Sequence, residues 1–280
     1  MIPAEFEYVA PQSLDEALAA LRDGGEDAKL LAGGHSLLPL MKLRLAAPSL
    51  LVDLRRVPGL EGIRREGDTW RIGAMTRHAA VAAEQDLGLV AHAASLIADP
   101  QVRHRGTIGG SIAHGDPASD LLAILLATEG SALVLGASGE REVAAADLFQ
   151  DYLTTAVGEG EVLTEVRFPA LDGYGWGYHK FNRRQEDWAM VAVSALVLKG
   201  TGGECEDVRI GLTHMGSTPL RATAAEAALR GQPLSAEAIA AAAGQAADGT
   251  EPPADLNASA DYKRHLARVL CRRALTDASS

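Results

Sequence analysis

Lys29-Leu30-Leu31-Ala32-Gly33-Gly34-His35-Ser36-Leu37 and Gly106-Thr107-Ile108-Gly109-Gly110-Ser111 are the two stretches on which the reading of this chain turns. Each sets an adjacent glycine pair beside an apolar residue and follows it with a serine. Adjacent glycines let a backbone turn sharply and keep side chains away, so amide N–H groups can approach an anion closely. Ser36 and Ser111 add hydroxyl donors. Two such segments, converging, suit a pyrophosphate, whose phosphates each need several donors. Among 29 glycines a single pair is more often an ordinary turn; the repeated pattern carries the inference. Neither segment fits G-x-G-x-x-G or the G-K-[ST] of a P-loop, which disfavours a Rossmann or Walker site. Ser36 lacks the glycine two residues later that a nucleophile elbow requires, so a serine hydrolase is not expected.

Around these segments the chain alternates helix and strand. Ser13 and Glu16 form a capping-box pattern ahead of Leu14, Ala17, Leu18 and Leu21 at helical spacing. Lys29–Ala32 and Leu50–Leu54 read as strands, giving a small α/β unit over the first 55 or so residues. Thr69–Ala74 reads as a strand, Thr76 as the cap of a helix to about Glu84, and Leu89–Ala98 as a helix. Gly106–Ser111 reads as a loop. Ser119-Asp120 opens an apolar helix over 121–126. Ala132–Leu135 and Glu161–Phe168 read as strands. A stretch rich in Gly, Pro and aromatics, Pro169–Gly177, reads as a domain boundary. Beyond it, strands are expected at Ala189–Leu198 and Val208–His214. Helices are expected at Ala222–Arg230, Ala236–Ala247 and Asp261–Leu275, the last burying Tyr262, Leu266, Val269 and Leu270.

The 280 residues, 47% hydrophobic and 22% charged, suit a globular protein able to bury a sizeable core. The net charge of −11 argues against general nucleic-acid or anionic-membrane binding, although Arg103, His104 and Arg105 form a local basic patch. Two cysteines, Cys205 and Cys271, cannot ligate an iron–sulfur cluster that needs four thiolates. No signal peptide or membrane span is expected, and the cytoplasm is the expected location.

Other polar residues are open to two readings. His104, His114, Asp116 and Asp120 cluster in sequence, but their spacing is not diagnostic of a metal site, and none is assigned. Asp120 suits a helix-terminal carboxylate and equally an acceptor for a ribose hydroxyl. Tyr178, Phe181 and Trp188 suit the flanks of a planar ligand, with Lys180 a cation nearby; Arg183, Arg184 and Asp187 suit a solvated hairpin as well.

The stretches AGGHSLLPLMKLRLA (Ala32–Ala46), TIGGSIAHGDPASD (Thr107–Asp120), RRQEDWAMVAVSA (Arg183–Ala195) and TPLRATAAEAALRG (Thr218–Gly231) resemble the FAD-binding medium subunit of carbon monoxide dehydrogenase and related molybdenum hydroxylases. More distantly, they resemble the FAD domain of xanthine dehydrogenase. The resemblance covers nearly the whole chain, with Gly115 standing where the family often has Ala or Ser. It implies an α+β fold: a PCMH-type, vanillyl-alcohol oxidase-like FAD-binding domain over 1–172, of two α/β subdomains (about 1–55 and 56–172). A C-terminal α+β domain would follow over 173–280. It implies FAD as cofactor, with Leu30, Leu31, Ala32, Gly33, Gly34, His35, Ser36 and Leu37 along the pyrophosphate and ribityl chain. Thr107, Gly109, Gly110 and Ser111 would form the second contact, and Asp120 would meet a ribose or ribityl hydroxyl. Ile97 and Lys29 would lie at the adenine end, while Leu163 and Lys180 would approach from the second subdomain. No catalytic acid–base pair is implied. Molybdopterin and iron–sulfur clusters would reside on a large and a small partner subunit, in a dimer of heterotrimers. Electrons would pass from those clusters through the FAD to an external acceptor. Two alternatives use the same fold: a free-standing FAD-dependent oxidoreductase, and a scaffold subunit that has lost its flavin.

Overall fold

A computed structural model describes residues 2–280. The first unit holds a three-stranded parallel sheet in the order β1 (Glu7–Val9), β3 (Leu50–Asp53), β2 (Ala28–Leu31). Parallel neighbours need crossovers, and the helices α1 (Leu14–Gly24) and α2 (Leu37–Lys42) supply them. Helix α1 begins as its capping residues predict: the Glu16 amide donates to Ser13 Oγ at 3.1 Å, and the Glu16 carboxylate accepts from the Gln12 amide at 2.7 Å.

The second unit is an antiparallel sheet in the order β4 (Ile63–Glu66), β5 (Thr69–Gly73), β10 (Val162–Pro169), β6 (Ser131–Gly136), β7 (Gly139–Ala144). Between β5 and β6 the chain runs through α3 (His78–Ala83), α4 (Leu89–Ser95), α5 (Pro100–Arg103), α6 (Ile108–His114) and α7 (Asp120–Ala127). Between β7 and β10 come α8 (Ala145–Leu148) and the small β8–β9 hairpin (Phe149–Asp151, Thr154–Thr155). Nearly all of α7 is buried, as its uninterrupted Leu, Ala and Ile content requires.

The third unit is an antiparallel sheet of β11 (Tyr174–Phe181), β12 (Val191–Lys199), β13 (Cys205–Thr213) and β14 (Leu220–Arg221), covered by α9 (Thr223–Leu229), α10 (Ala236–Gly244) and α11 (Ala260–Ala278). Helix α7 packs against β12 and β13, which joins the second and third units.

Three expectations are corrected. Thr76 does not cap α3; its hydroxyl bonds the backbone of Gly62, and Arg77 precedes the helix. The Gly106–Ser111 segment is a loop only as far as Thr107, after which Gly109, Gly110 and Ser111 form the first turn of α6. Helix α11 buries Lys263, Leu266, Ala267, Leu270 and Cys271, leaving Tyr262 43% exposed and Val269 half-buried. No described helix is long and apolar enough to cross a membrane.

Candidate functional site

The two glycine segments meet. A Cβ on Gly33 would overlap the carbonyl of Arg105 and stand 2.8 Å from the Gly106 Cα. A Cβ on Gly109 would overlap Ala74 and stand 2.7 Å from that residue's Cα and carbonyl oxygen. These glycines therefore let backbone pack on backbone, rather than making room for a ligand. Gly34 is glycine for a different reason: its φ of +77° lies in the left-handed region.

Their amides differ as well. In the second segment every early amide is taken: Ile108 by the Thr76 carbonyl at 3.0 Å, Gly109 by Ala74 at 2.9 Å, Gly110 by Thr107 Oγ1 at 3.1 Å and Ser111 by the Thr107 carbonyl at 3.0 Å. In the first segment, among the described residues, the amides of Gly33, Gly34, His35, Ser36 and Leu37 donate to no protein group. A run of unpaired amides on a sharply turned backbone is an anion-binding concavity. The donor-rich segment is thus the one after β2, while Thr107 to Ser111 forms a firm wall against it.

That wall and segment bound a cleft of about 570 Å³. Lys29, Leu30, Leu31, Ala32, Gly33, Gly34, His35, Ser36 and Leu37 line it from the first unit. Ile97, Thr107, Gly109, Gly110, Ser111, Asp120 and Leu163 line it from the second; Lys180, expected from the second subdomain, comes instead from β11 of the third unit. Leu163 reaches the cleft beside a bulge in the β10–β6 pairing, between Leu163 and Glu165. Such bulges re-aim side chains.

Asp120, at the first position of α7, is buried, and each of its carboxylate oxygens accepts one hydrogen bond. Its Oδ2 accepts from Lys180 Nζ at 2.9 Å, and its Oδ1 from the Tyr178 hydroxyl at 2.6 Å. Lys180 also donates to the Leu96 carbonyl at 3.2 Å. Burial raises the carboxyl pKa, against the opposing pull of Lys180 and Tyr178, and it drives the Tyr178 pKa well above the ordinary phenol value. The Lys180 cation is therefore balanced locally by Asp120 and is not a bare charge facing a ligand. Each Asp120 oxygen keeps a lone pair for a further donor. Tyr178 belongs to the core rather than to a ligand's flank, and Phe181 packs edge-on against Tyr262. Trp188 alone of that aromatic trio lines the cleft, and it is 54% exposed. Arg103, part of the sequence's basic patch, turns inward to the carbonyls of Ile97 and Ala98.

Two cleft residues were not singled out from the sequence as ligand contacts. His78 is buried with Nδ1 unpartnered; burial first, then Arg103 and His35, lower its pKa to about 4, so its ring is neutral. Ser119 is buried with its hydroxyl unpartnered. Buried polar atoms are nearly always paired, so these two mark places where a polar ligand would complete the bonding. The turn Val157–Glu161 also contributes, without any motif to announce it. Free amides, orphan polar atoms and the apolar walls of Leu30, Ile97 and Leu163 suit a ligand with an anionic centre, hydroxyls and flat rings, and FAD has all three.

The family model described as "FAD binding domain in molybdopterin dehydrogenase" matches residues 4–171, and that of the "CO dehydrogenase flavoprotein C-terminal domain" matches 176–278. The chain belongs to this flavoprotein family. It is an FAD-binding oxidoreductase subunit of the molybdenum hydroxylase type, and its mixed helix-and-strand fold is that of the family's medium subunits. It is 47% identical to the carbon monoxide dehydrogenase medium chain of Hydrogenophaga pseudoflava, covering 99% of this chain and 98% of that one. It is 40% identical to the 6-hydroxypseudooxynicotine dehydrogenase complex subunit alpha of Paenarthrobacter nicotinovorans, over 99% of this chain and 96% of the other. A solved structure of the Hydrogenophaga pseudoflava carbon monoxide dehydrogenase lacking the Mo-pyranopterin moiety superposes with a TM-score of 0.96 at 49% identity, covering 99% and 98% of the two chains. Relatives of this flavoprotein are therefore subunits of larger complexes.

Proposed function

We propose that the cleft between the Gly33–Leu37 turn and the Thr107–Ser111 helix start is the FAD site, and that the flavin there relays electrons. The run of free amides at Gly33, Gly34, His35, Ser36 and Leu37 carries this reading. Those amides bind the pyrophosphate, with Ser36 and Ser111 as hydroxyl donors. Asp120 and Ser119 accept from or donate to hydroxyls of the ribose or ribityl chain. Ile97 and Lys29 hold the adenine end, and Leu163 and Trp188 exclude water from the rings. Lys180, neutralised by Asp120, fixes the wall contributed by β11. Bound FAD supplies the redox chemistry, and the protein's part is to bind, orient and tune it.

The partners are a small iron–sulfur subunit and a large molybdopterin subunit, in a cytoplasmic dimer of heterotrimers. This chain's two cysteines are both buried free thiols, so cluster chemistry belongs elsewhere. The relatives' names differ in substrate while the chains align end to end, as expected if substrate is oxidised on another subunit. We place the domain division at 172/173, in the bend between β10 and β11, with the FAD-binding part itself divided near residue 55.

The test is a visible absorption spectrum of the purified chain, with identification of the cofactor released on denaturation. A flavin spectrum yielding FAD supports the reading. A colourless chain that takes up no added FAD, alone or with its partner subunits, refutes it.

A further inference from the structure

Two segments that bring residues to the cleft have little regular structure to hold them: the turn Asp116–Ser119 before α7, whose last residue lines it, and the lip Glu186–Trp188 before β12. One residue grips both. The backbone N–H of His214, just past the end of β13, donates to the Pro117 carbonyl at 2.9 Å. Its ring Nδ1 lies 2.8 Å from the carbonyl of Ala189, the residue after Trp188. A carbonyl only accepts, so Nδ1 carries the proton and Nε2 bears the lone pair. Nε2 faces the ammonium of Lys263 at 3.3 Å, and that ammonium is held by Asp255 at 2.7 Å. Lys263 is wholly buried on α11. His214 has a φ of +64°, a conformation a non-glycine residue keeps only where its surroundings impose it.

We propose that His214 is a positioning residue of the flavin cleft: a neutral imidazole, fixed in one tautomer between the Ala189 carbonyl and Lys263, that holds the Trp188 lip in register with the turn leading into Ser119 and Asp120. The proposal rests on the reading of this cleft as the FAD site. Burial lowers the ring's basicity and Lys263 adds to that, against the Ala189 carbonyl, Asp255 and Asp116. A proton on Nε2 would set two cations side by side. The bonding chain runs from Asp255 through Lys263 and His214 to Ala189, so the third unit reaches the cleft through a polar relay as well as through β11.

Two nearly isosteric replacements separate positioning from mere packing. Both tolerate the left-handed backbone. In His214→Asn the side-chain amide keeps a donor toward Ala189. In His214→Asp that donor is gone and a carboxylate faces the Ala189 carbonyl instead; because Asp255 already neutralises Lys263, the cluster also gains one negative charge. The full chain is compared by FAD titration and by iodide quenching of Trp188 in a Trp70→Phe, Trp176→Phe background. His214→Asp binds FAD roughly tenfold more weakly, the equivalent of one lost buried hydrogen bond, and exposes Trp188 to more quenching. His214→Asn stays near the parent in both. Parent-like FAD affinity and quenching in His214→Asp overturn the proposal, as does an equal defect in both variants. A parent chain that binds no FAD defeats the reading of the cleft instead; Trp188 quenching then decides the role of His214 alone, and no change in His214→Asp overturns it.

Discussion

Replacing Asp120 by alanine should be among the most damaging single changes in this chain. The Asp120 and Lys180 side chains are each 5% exposed, and their charged atoms are 2.9 Å apart. Without the carboxylate, Lys180 keeps only the Leu96 carbonyl at 3.2 Å, and the buried Tyr178 hydroxyl loses its acceptor. Removing one partner of a buried ion pair costs about 3–5 kcal/mol, because the other charge stays buried and unmatched. At about 2–4 °C per kcal/mol for domains approaching this size, the melting temperature should fall by roughly 6–20 °C. The assay is a thermal melt of the full chain followed by near-ultraviolet circular dichroism. Asp120→Asn keeps an acceptor and should lose distinctly less. The decisive comparison is Asp120→Ala combined with Lys180→Met. If the damage is an orphaned cation, removing that cation recovers much of it, and the two changes are strongly non-additive. A fall of less than about 2 °C in Asp120→Ala, or simple additivity in the double variant, refutes the reasoning.

Three further outcomes are expected. Burial tends to raise the Asp207 pKa, but hydrogen bonds from Tyr174, Arg230 and Arg209 outweigh it and hold the carboxyl at about 2. A depressed folded-state pKa gives stability that is present above the unfolded carboxyl range and lost as pH falls through about 2. Melting temperature should therefore drop below about pH 4, and less steeply in Asp207→Asn; Asp120, whose pKa is raised, adds nothing to that acid loss. Gly33→Ala forces a Cβ onto the Arg105–Gly106 backbone, an overpacking cost of about 1–3 kcal/mol, read as a lower melting temperature together with reduced flavin content. Gly110→Val sets a Cβ 2.7 Å from Thr107 Oγ1 and 3.5 Å from the Ala32 Cβ, so far-ultraviolet circular dichroism should persist while the flavin absorbance is lost.

The sequence was most legible where one local signal acts alone. The Ser13–Glu16 box starts α1, and apolar runs mark β2, β3, β12 and α7. It was least legible where a distant neighbour sets the residue. Gly175 and Gly177 read as part of a domain boundary, yet both lie inside β11. A Cβ on either would overlap the carbonyl of Ala278 or Ala274, so these glycines let α11 settle on the strand. Thr107 offered a cap signal that the glycines behind it concealed; its hydroxyl accepts the Gly110 amide and starts a helix where a loop was expected. Lys263 had no signal at all, because no local pattern says that a lysine will be buried against an aspartate and a histidine from elsewhere. Motifs carried the candidate site on the first two units. The side chains that β11 and the end of β13 bring to it are placed by tertiary packing.

The two glycine pairs show why motif likeness is a poor guide to duty. Written out, Gly33-Gly34-His35-Ser36 and Gly109-Gly110-Ser111 look like two versions of one device. Physically, the second pair spends its amides on Ala74 and Thr107, and its lack of side chains lets α6 press against Ala74. That makes a rigid support. The first pair lies against the Arg105–Gly106 backbone and leaves its amides unmet. Only Gly33 of this turn is buried, so most of these donors are open to an incoming acceptor, and water can meet them until one arrives. A support braced by internal hydrogen bonds, facing a turn whose donors have no internal partner, is a preorganised arrangement. The rigid side fixes the distance, and the turn supplies the attraction. An anion entering between them needs little backbone rearrangement, so its binding energy goes into affinity and orientation rather than into ordering the protein.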